Sequence, residues 1–268
     1  MKLAIFGSPV EHSLSPAMHR AAFAHVGLEG DYLTRDVDEN GFLEGVAEIR
    51  VGDLDGANVT MPFKILAHNV SDAVSPRAAR VGAVNTLSVS RGQLTGDNTD
   101  VDGVAYAFKE AKLPEMDPVV ILGAGGAAAA ALAALAHREL YVVARRPEQA
   151  RSVVVRLGSD AAVIPWDEAV PGGVIVNATS LGMGGELLPD WALAAATGLL
   201  DMAYGDAPTR SVAALRGDGV PVADGLDMLV GQAIGCFRIW TGQEVRPVVF
   251  RSAAETELQR RRQEESRC

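Results

Sequence analysis

Four short polar clusters in the first part of the chain carry side chains able to do chemistry: His12-Ser13-Leu14-Ser15-Pro16, Asn58-Val59-Thr60-Met61-Pro62-Phe63-Lys64, Gly82-Ala83-Val84-Asn85-Thr86 and Gly96-Asp97-Asn98-Thr99-Asp100. Each follows a strand-like segment or precedes a helix or strand. Ligands of open α/β sheets sit beyond the carboxyl ends of strands, so these hydroxyls, amides, lysine and carboxylate are expected to converge there. Such a set suits a small polyhydroxylated molecule. Each residue also has a plainer duty open to it. Ser15 suits an N-cap, Asn58 and Thr60 can order a turn before Pro62, Asp100 can cap the helix after it, and Lys64 can be a surface lysine. His12 and His19 read as polar loop and helix residues. No His, Cys or carboxylate group has metal-ligand spacing, so no metal site is expected.

A second signal is Val119-Val120-Ile121-Leu122-Gly123-Ala124-Gly125-Gly126-Ala127-Ala128. It reads as strand, glycine turn and helix start, the context in which glycines let a pyrophosphate approach the backbone and the helix N-terminus. An ordinary glycine turn in a sheet is the plainer reading. An NAD site places an acid about 20 residues on, at the end of the second strand. Here that place reads Val143-Ala144-Arg145-Arg146-Pro147. Guanidinium groups suit the extra phosphate of NADP, although arginines also merely end strands on surfaces.

The elements that must position these residues alternate strand and helix. Strands are expected near 3–6, 32–37, 57–59, 119–122, 140–144, 161–164, 174–177, 199–203 and 220–222. A helix is expected from Ser15 to Gly27, and others near 41–49, after Pro62 and at about 101–111. Residues 87–89 and 93–95 read as a hairpin turning at Arg91-Gly92. The alternation predicts an α/β fold with parallel sheet covered on both faces. Residues 112–118 read as a linker. From Leu226 the chain reads as helix, broken near Gly242 and Pro247. The tail Arg260-Arg261-Arg262 beside Gln263-Glu264-Glu265 reads as a solvated helix end.

Composition bounds the rest. The 268 residues carry a net charge of −10 and only two cysteines. That acidity disfavours a nucleic-acid partner. Cys236 and Cys268 form no CxxC pair, which fits a reducing cytosol and no disulfide frame. No targeting segment is read at the N-terminus. The uncharged stretch 119–136 is long enough to test as a membrane span, but its glycines and alanines favour strand, turn and helix. A cytoplasmic protein without a membrane partner is expected.

In this order the clusters resemble the shikimate dehydrogenase family. The matching stretches are Ser13-Leu14-Ser15-Pro16, Asn58-Val59-Thr60 with Pro62 and Lys64, Gly82 to Thr86, Asn98-Thr99-Asp100 and Gly123 to Ala127. Asn177-Ala178-Thr179-Ser180 with Gly182-Met183, Asp201-Met202 with Tyr204, and Gly225-Leu226 with Met228-Leu229-Val230 and Gln232-Ala233 complete the match. The resemblance runs from about residue 5 to residue 242. It implies reversible NADPH-dependent reduction of 3-dehydroshikimate to shikimate, in aromatic amino-acid and chorismate biosynthesis. It implies two domains with the active site in a cleft. Residues 1–99, joined by C-terminal helices over 226–268, would form the catalytic substrate domain, and residues 100–225 a Rossmann-type, doubly wound NADP domain. By matching position, Ser13, Ser15, Thr60, Lys64, Asn85, Asp100, Tyr204 and Gln232 would hold the substrate, the two serines at its carboxylate. Lys64 and Asp100 would be the catalytic pair. Gly123, Ala124, Gly125, Gly126, Ala127, Ala144, Arg145 and Arg146 would hold NADP, with Met202 and Gly225 bordering the nicotinamide.

The chain departs from the family where Ala144 replaces a common Asn, where Pro147 follows Arg146, where the helix after the glycine turn is about two residues short, and where Asp206 replaces a common Pro. Two other readings stay open. One is a quinate/shikimate dehydrogenase with broader substrate or NAD use, against which Ser15 and Arg145 speak. The other is a non-catalytic NADP-binding sensor, which would have no need of Lys64, Asp100, Asn85 and Gln232. A monomer or homodimer is expected.

Overall fold

The computed structural model describes every residue except Asp167, Ala169, Asp206 and 266–268, and the backbone alone at Glu265. Asp206 and Cys268, both singled out from the sequence, lie outside the described residues. The chain divides into two units, Met1–Thr99 with Gln232–Cys268, and Asp100–Gly231.

The first unit is built from β1 (Lys2–Gly7), α1 (Ser15–Val26), β2 (Asp31–Asp36), α2 (Glu39–Val51), β3 (Gly56–Val59), α3 (Lys64–Val70), β4 (Ala73–Val74), α4 (Pro76–Val81), β5 (Thr86–Ser90) and β6 (Gln93–Asp97). The sequence reading had no counterpart for β4 or α4, which are short. The sheet order is β2-β1-β3-β5-β6-β4. β1 pairs in parallel with β2 and β3, while β5 runs antiparallel to β3 and β6. This sheet is therefore mixed, not parallel throughout. The reversal comes from the expected hairpin: Ser90 pairs with Gln93, and both residues between them have positive φ, 53° at Arg91 and 77° at Gly92. Positive φ at both central positions matches the right-handed twist of the flanking strands. Leu3, Ala4 and Phe6 of β1 are fully buried, and Phe6, Phe42, Ile49, Ala57, Val59 and Leu87 share one core. Burial of each large side chain contributes about 1.5–3 kcal/mol.

α1 begins differently from its sequence reading. Its N-cap is Leu14, without a side-chain cap, and Pro16 occupies the first turn. Ser15 is already helical and 2% exposed, so its hydroxyl is not a cap. The helix stops as expected at Gly27, left-handed at φ 69°.

The second unit holds α5 (Asp100–Glu110), β7 (Val119–Leu122), α6 (Gly126–Ala134), β8 (Leu140–Ala144), α7 (Pro147–Leu157), β9 (Ala162–Pro165), β10 (Gly173–Asn177), α8 (Asp190–Ala195), β11 (Ala196–Asp201), α9 (Arg210–Gly217) and β12 (Val222–Ala223). Its strands pair in parallel in the order β12-β11-β10-β7-β8-β9. Renumbered within the unit, that is the 3-2-1-4-5-6 order of a doubly wound nucleotide fold. The chain then enters α10 (Gly225–Thr241) and ends in α11 (Pro247–Glu265). Among the described residues no helix is long and apolar enough to cross a membrane.

Candidate active site

In the first unit, β1 is followed by a helix leading to β2 on one side, and β3 lies on its other side. The strand order reverses between β1 and β3, which opens a crevice at their carboxyl ends. The loop after β1 carries Ser13 and Ser15, and the loop after β3 carries Thr60 and Lys64. Backbone bonds join them: Thr60 N–H donates to Phe6 O at 2.8 Å and Ser8 N–H to Met61 O at 3.0 Å. The Ser15 N–H donates to Ser13 Oγ at 3.2 Å. That leaves the Ser13 O–H available to an acceptor.

The reversal of β5 brings the next residue to the same edge. Asn58 pairs with Thr86, and Thr86 pairs with Asp97. Asn85, just before β5, thus lies beside the carboxyl end of β3. Its N–H donates to Asp97 O at 2.9 Å, its carbonyl accepts from Val59 N–H at 2.8 Å, and Val84 N–H donates to Lys64 O at 2.9 Å. The Asn85 Oδ1 accepts from Thr99 N–H at 2.8 Å and from the Thr86 hydroxyl at 2.9 Å. Asn58, 4% exposed, is a buried hub: it accepts from the Tyr32 hydroxyl at 2.6 Å and donates to Asn85 O at 3.1 Å. Gln232 stands one turn before Cys236 on α10, and the Cys236 Sγ is 3.7 Å from Asn58 Oδ1. The five residues Ser13, Ser15, Thr60, Lys64 and Asn85 therefore share one edge, with Gln232 on the helix that packs near it.

His19 of α1 was read from sequence as a polar helix residue, yet it is fully buried. Its ring stacks on Tyr32 at 4.6 Å between centroids and meets Trp240 edge-on at 5.4 Å. Its Nδ1 has no hydrogen-bond partner among the described residues. Burial pushes its pKa from 6.5 down to about 3, so the ring stays neutral.

The second unit has its own switch point between β7 and β10. The glycine turn after β7 lies there. Gly123 has φ +112°, and a Cβ on it would stand 2.9 Å from Ala178 O. Cβ atoms on Gly125 or Gly126 would meet nothing within 4 Å, so the turn leaves an open cradle. The first turn of α6 has no side-chain cap, and its free N–H groups carry a partial positive charge. Leu122 pairs with Val143, and Gly123 N–H donates to Val143 O at 2.8 Å. This places Ala144, Arg145 and Arg146 next to the turn. Both arginines are exposed, and among the described residues no carboxylate pairs with either. Pro147 opens α7 at its first turn. The donor set suits a dinucleotide pyrophosphate and one more phosphate.

Met202 and Tyr204 follow β11. A Cβ on Gly225 would lie 2.6 Å from Tyr204 Cβ and 2.8 Å from Ala203 O, so α10 starts against this segment. A cluster fixes this segment: Asn177, Thr179 and Asp201, which belong to the family-matching motifs without an expected role, and Thr209, which belongs to none of them. Asp201 and Asn177 are fully buried. Asp201 accepts from Asn177 Nδ2 at 2.8 Å, Ala203 N–H at 3.1 Å and the Thr209 hydroxyl at 2.6 Å. Asn177 Oδ1 accepts from the Thr179 hydroxyl at 2.6 Å, and Asn177 O from Met202 N–H at 3.0 Å. Burial raises the Asp201 pKa against these hydrogen bonds, and Asp224 adds to the rise. Asp100, first residue of α5, is 6% exposed. Among the described residues no three His, Cys, Asp or Glu side chains gather as metal ligands would.

Residues 5–87 match a family described as the shikimate dehydrogenase substrate binding domain. The chain is 36% identical over 268 residues to a shikimate dehydrogenase (NADP(+)) of Thermus thermophilus, covering 96% of this chain and 99% of that relative. A shikimate dehydrogenase (NADP(+)) of Moorella thermoacetica is 39% identical, covering 92% of this chain and 90% of its own. The crystal structure of shikimate 5-dehydrogenase from Thermus thermophilus in complex with NADP(H) and shikimate superimposes with a TM-score of 0.87 at 35% identity, over 96% of this chain and 99% of that one. Both unit folds, the ordered polar clusters and identity along nearly the whole chain lead to one conclusion: the chain belongs to the shikimate dehydrogenase family.

Proposed function

We propose that the protein catalyses the reversible NADPH-dependent reduction of 3-dehydroshikimate to shikimate, within chorismate and aromatic amino-acid biosynthesis. The observation that carries this reading is the shared edge of β1, β3 and β5, where two serines, a threonine, an asparagine and a lysine meet. The unit Met1–Thr99 with Gln232–Cys268 is the substrate domain, and Asp100–Gly231 the NADP domain.

Ser13 and Ser15 take the substrate carboxylate. Thr60, Asn85, Gln232 and Tyr204 hold its hydroxyls and ring. When bound, NADPH supplies the hydride, and the protein orients the partners and handles the proton. Reduction builds negative charge on the carbonyl oxygen. The Lys64 ammonium stabilises that charge, and either it or a water it orients delivers the proton. Asp100, the other member of the catalytic pair, accepts from the substrate hydroxyl. Gly123 to Ala127 hold the pyrophosphate, Ala144 to Arg146 the 2′-phosphate end, and Met202 and Gly225 border the nicotinamide. The protein works in the cytoplasm as a monomer or homodimer, without nucleic-acid or membrane partners; its net charge of −10 speaks against a nucleic-acid partner.

The test mixes purified protein with shikimate and NADP⁺ and follows NADPH absorbance, with quinate and NAD⁺ in parallel. Reduction with shikimate and NADP⁺ alone is expected. Comparable turnover with quinate or NAD⁺ would move the protein to the broader dehydrogenases. NADPH binding without any turnover would make it a sensor.

A further inference from the structure

The triple-arginine tail does not behave as a solvated helix end at its middle residue. The Arg261 side chain is 18% exposed, against 55% for Arg260. All three of its guanidinium nitrogens are engaged. Nε donates to Glu257 Oε1 at 2.8 Å. Nη1 donates to the His12 carbonyl at 2.8 Å and Nη2 to the Ser13 carbonyl at 3.1 Å. Glu257, one helical turn earlier, also takes Arg260. The hydrogen bonds from Arg260 and then Arg261 hold its carboxyl well down, to about 2. Glu257 is thus an anion that fixes the guanidinium plane.

A planar fork is suited to two adjacent acceptors in a way a lysine is not. Here it takes two consecutive carbonyls of the loop that carries Ser13 and Ser15. Other ties beside these carbonyls are single: Ser13 N–H to Val10 O at 3.0 Å, Val10 N–H to Asp36 Oδ2 at 3.4 Å, and Ser15 N–H to Ser13 Oγ. Of these, the Ser13 N–H bond holds the His12–Ser13 peptide from its other edge, and none holds the Ser13 carbonyl. With both carbonyls held by Arg261, the backbone on either side of the Ser13 Cα is braced.

We propose that Arg261 is a positioning residue for recognition of the substrate carboxylate: from the C-terminal helix it sets the His12–Ser13 peptide and thereby the two serine hydroxyls. This rests on the function proposed above. The chain's last helix is thus part of the substrate site, although none of the motifs that carry the family resemblance lies on it.

The test measures shikimate binding by calorimetry without cofactor, together with steady-state kinetics, on the full chain. Arg261→Ala is expected to raise the shikimate Kd and KM about tenfold, the scale of a charge-assisted hydrogen bond, and to leave the NADP⁺ KM within about twofold. The same comparison with shikimate methyl ester adds a readout that general loosening would not move. The wild-type preference for the acid should shrink in Arg261→Ala, and Arg261→Lys should recover part of it. The exposed neighbour variant Arg262→Ala should match wild type. An unchanged shikimate Kd in folded Arg261→Ala, or equal weakening of acid and ester, overturns the proposal. If Arg261→Ala does not fold, Glu257→Gln releases the fork while keeping the arginine; an acid-selective loss supports the proposal and no loss overturns it. Wild-type protein that binds shikimate without reducing NADP⁺ would sink the proposed function, while the binding arm would still decide the role of Arg261.

Discussion

Lys64 opens α3 directly beyond β3, half-buried, with its carbonyl accepting from Val84 N–H in the loop that leads into Asn85. In the proposed reaction it faces the carbonyl oxygen that is reduced, a role not open to Lys109, exposed near the end of α5. Lys64→Ala should lower turnover about 10²–10⁴-fold, the usual worth of a positioned acid, with a smaller change in shikimate affinity. Lys109→Ala should leave both unchanged, and equal losses in the two variants would remove Lys64 from the mechanism. His19 makes a different prediction. Its pKa is 6.5 ordinarily and about 3 in the fold. Between those values the unfolded chain binds a proton that the folded chain refuses, so stability falls as pH falls. This one residue should cost about 2 kcal/mol on going from pH 7 to pH 5. His19→Phe, which keeps an aromatic ring against Tyr32, should flatten that part of the urea-midpoint profile. An equally steep profile in the variant would assign the acid sensitivity to other groups.

At the scale of elements, the turn between β7 and α6 separates two duties of glycine. Gly123 needs its φ of +112° and has Ala178 O where a side chain would go. Gly123→Ala should destabilise the fold by about 1–3 kcal/mol. Gly125 has φ −94°, which any residue adopts, and open space beside it. Gly125→Ala should therefore melt within a few degrees of wild type, yet weaken NADPH binding about tenfold or more, because its methyl would occupy the phosphate approach. Melting curves and NADPH fluorescence titration separate the two; full NADPH affinity in Gly125→Ala would move the cofactor away from this turn. The same scale shows why nothing in the sequence hints that Asp201, Asn177 and Thr209 form one buried cluster. Their residue types are ordinary in isolation. Only the parallel pairing of β10 with β11 sets Asn177 opposite Asp201.

At the scale of the molecule, the chain returns to its beginning. α11 packs on α1, and Phe250, fully buried, meets His19 at 5.9 Å and Phe237 at 6.0 Å between ring centroids. The first unit is thus closed by residues more than two hundred positions from its first strand. Phe250→Ala should cost about 3–5 kcal/mol by denaturant unfolding, the range for losing a buried ring. A cost below about 1 kcal/mol would mean that α11 is an appendage rather than part of that core.

The sequence by itself determined the α/β class, the glycine turn, the arginines in place of an acid, the hairpin at Arg91-Gly92 and the family. These are local: apolar runs, turn chemistry and short ordered motifs act over a few residues. The tertiary structure decided what depends on distance along the chain. The reversal of β5 delivers Asn85 to the carboxyl ends of β1 and β3, because a strand run backwards presents its start where its neighbours finish. Ser15 lost its capping duty because α1 begins one residue earlier than its cap signal suggested. Arg261 reached His12 and Ser13 because two helices pack side by side, and no spacing between residues 13 and 261 encodes that contact.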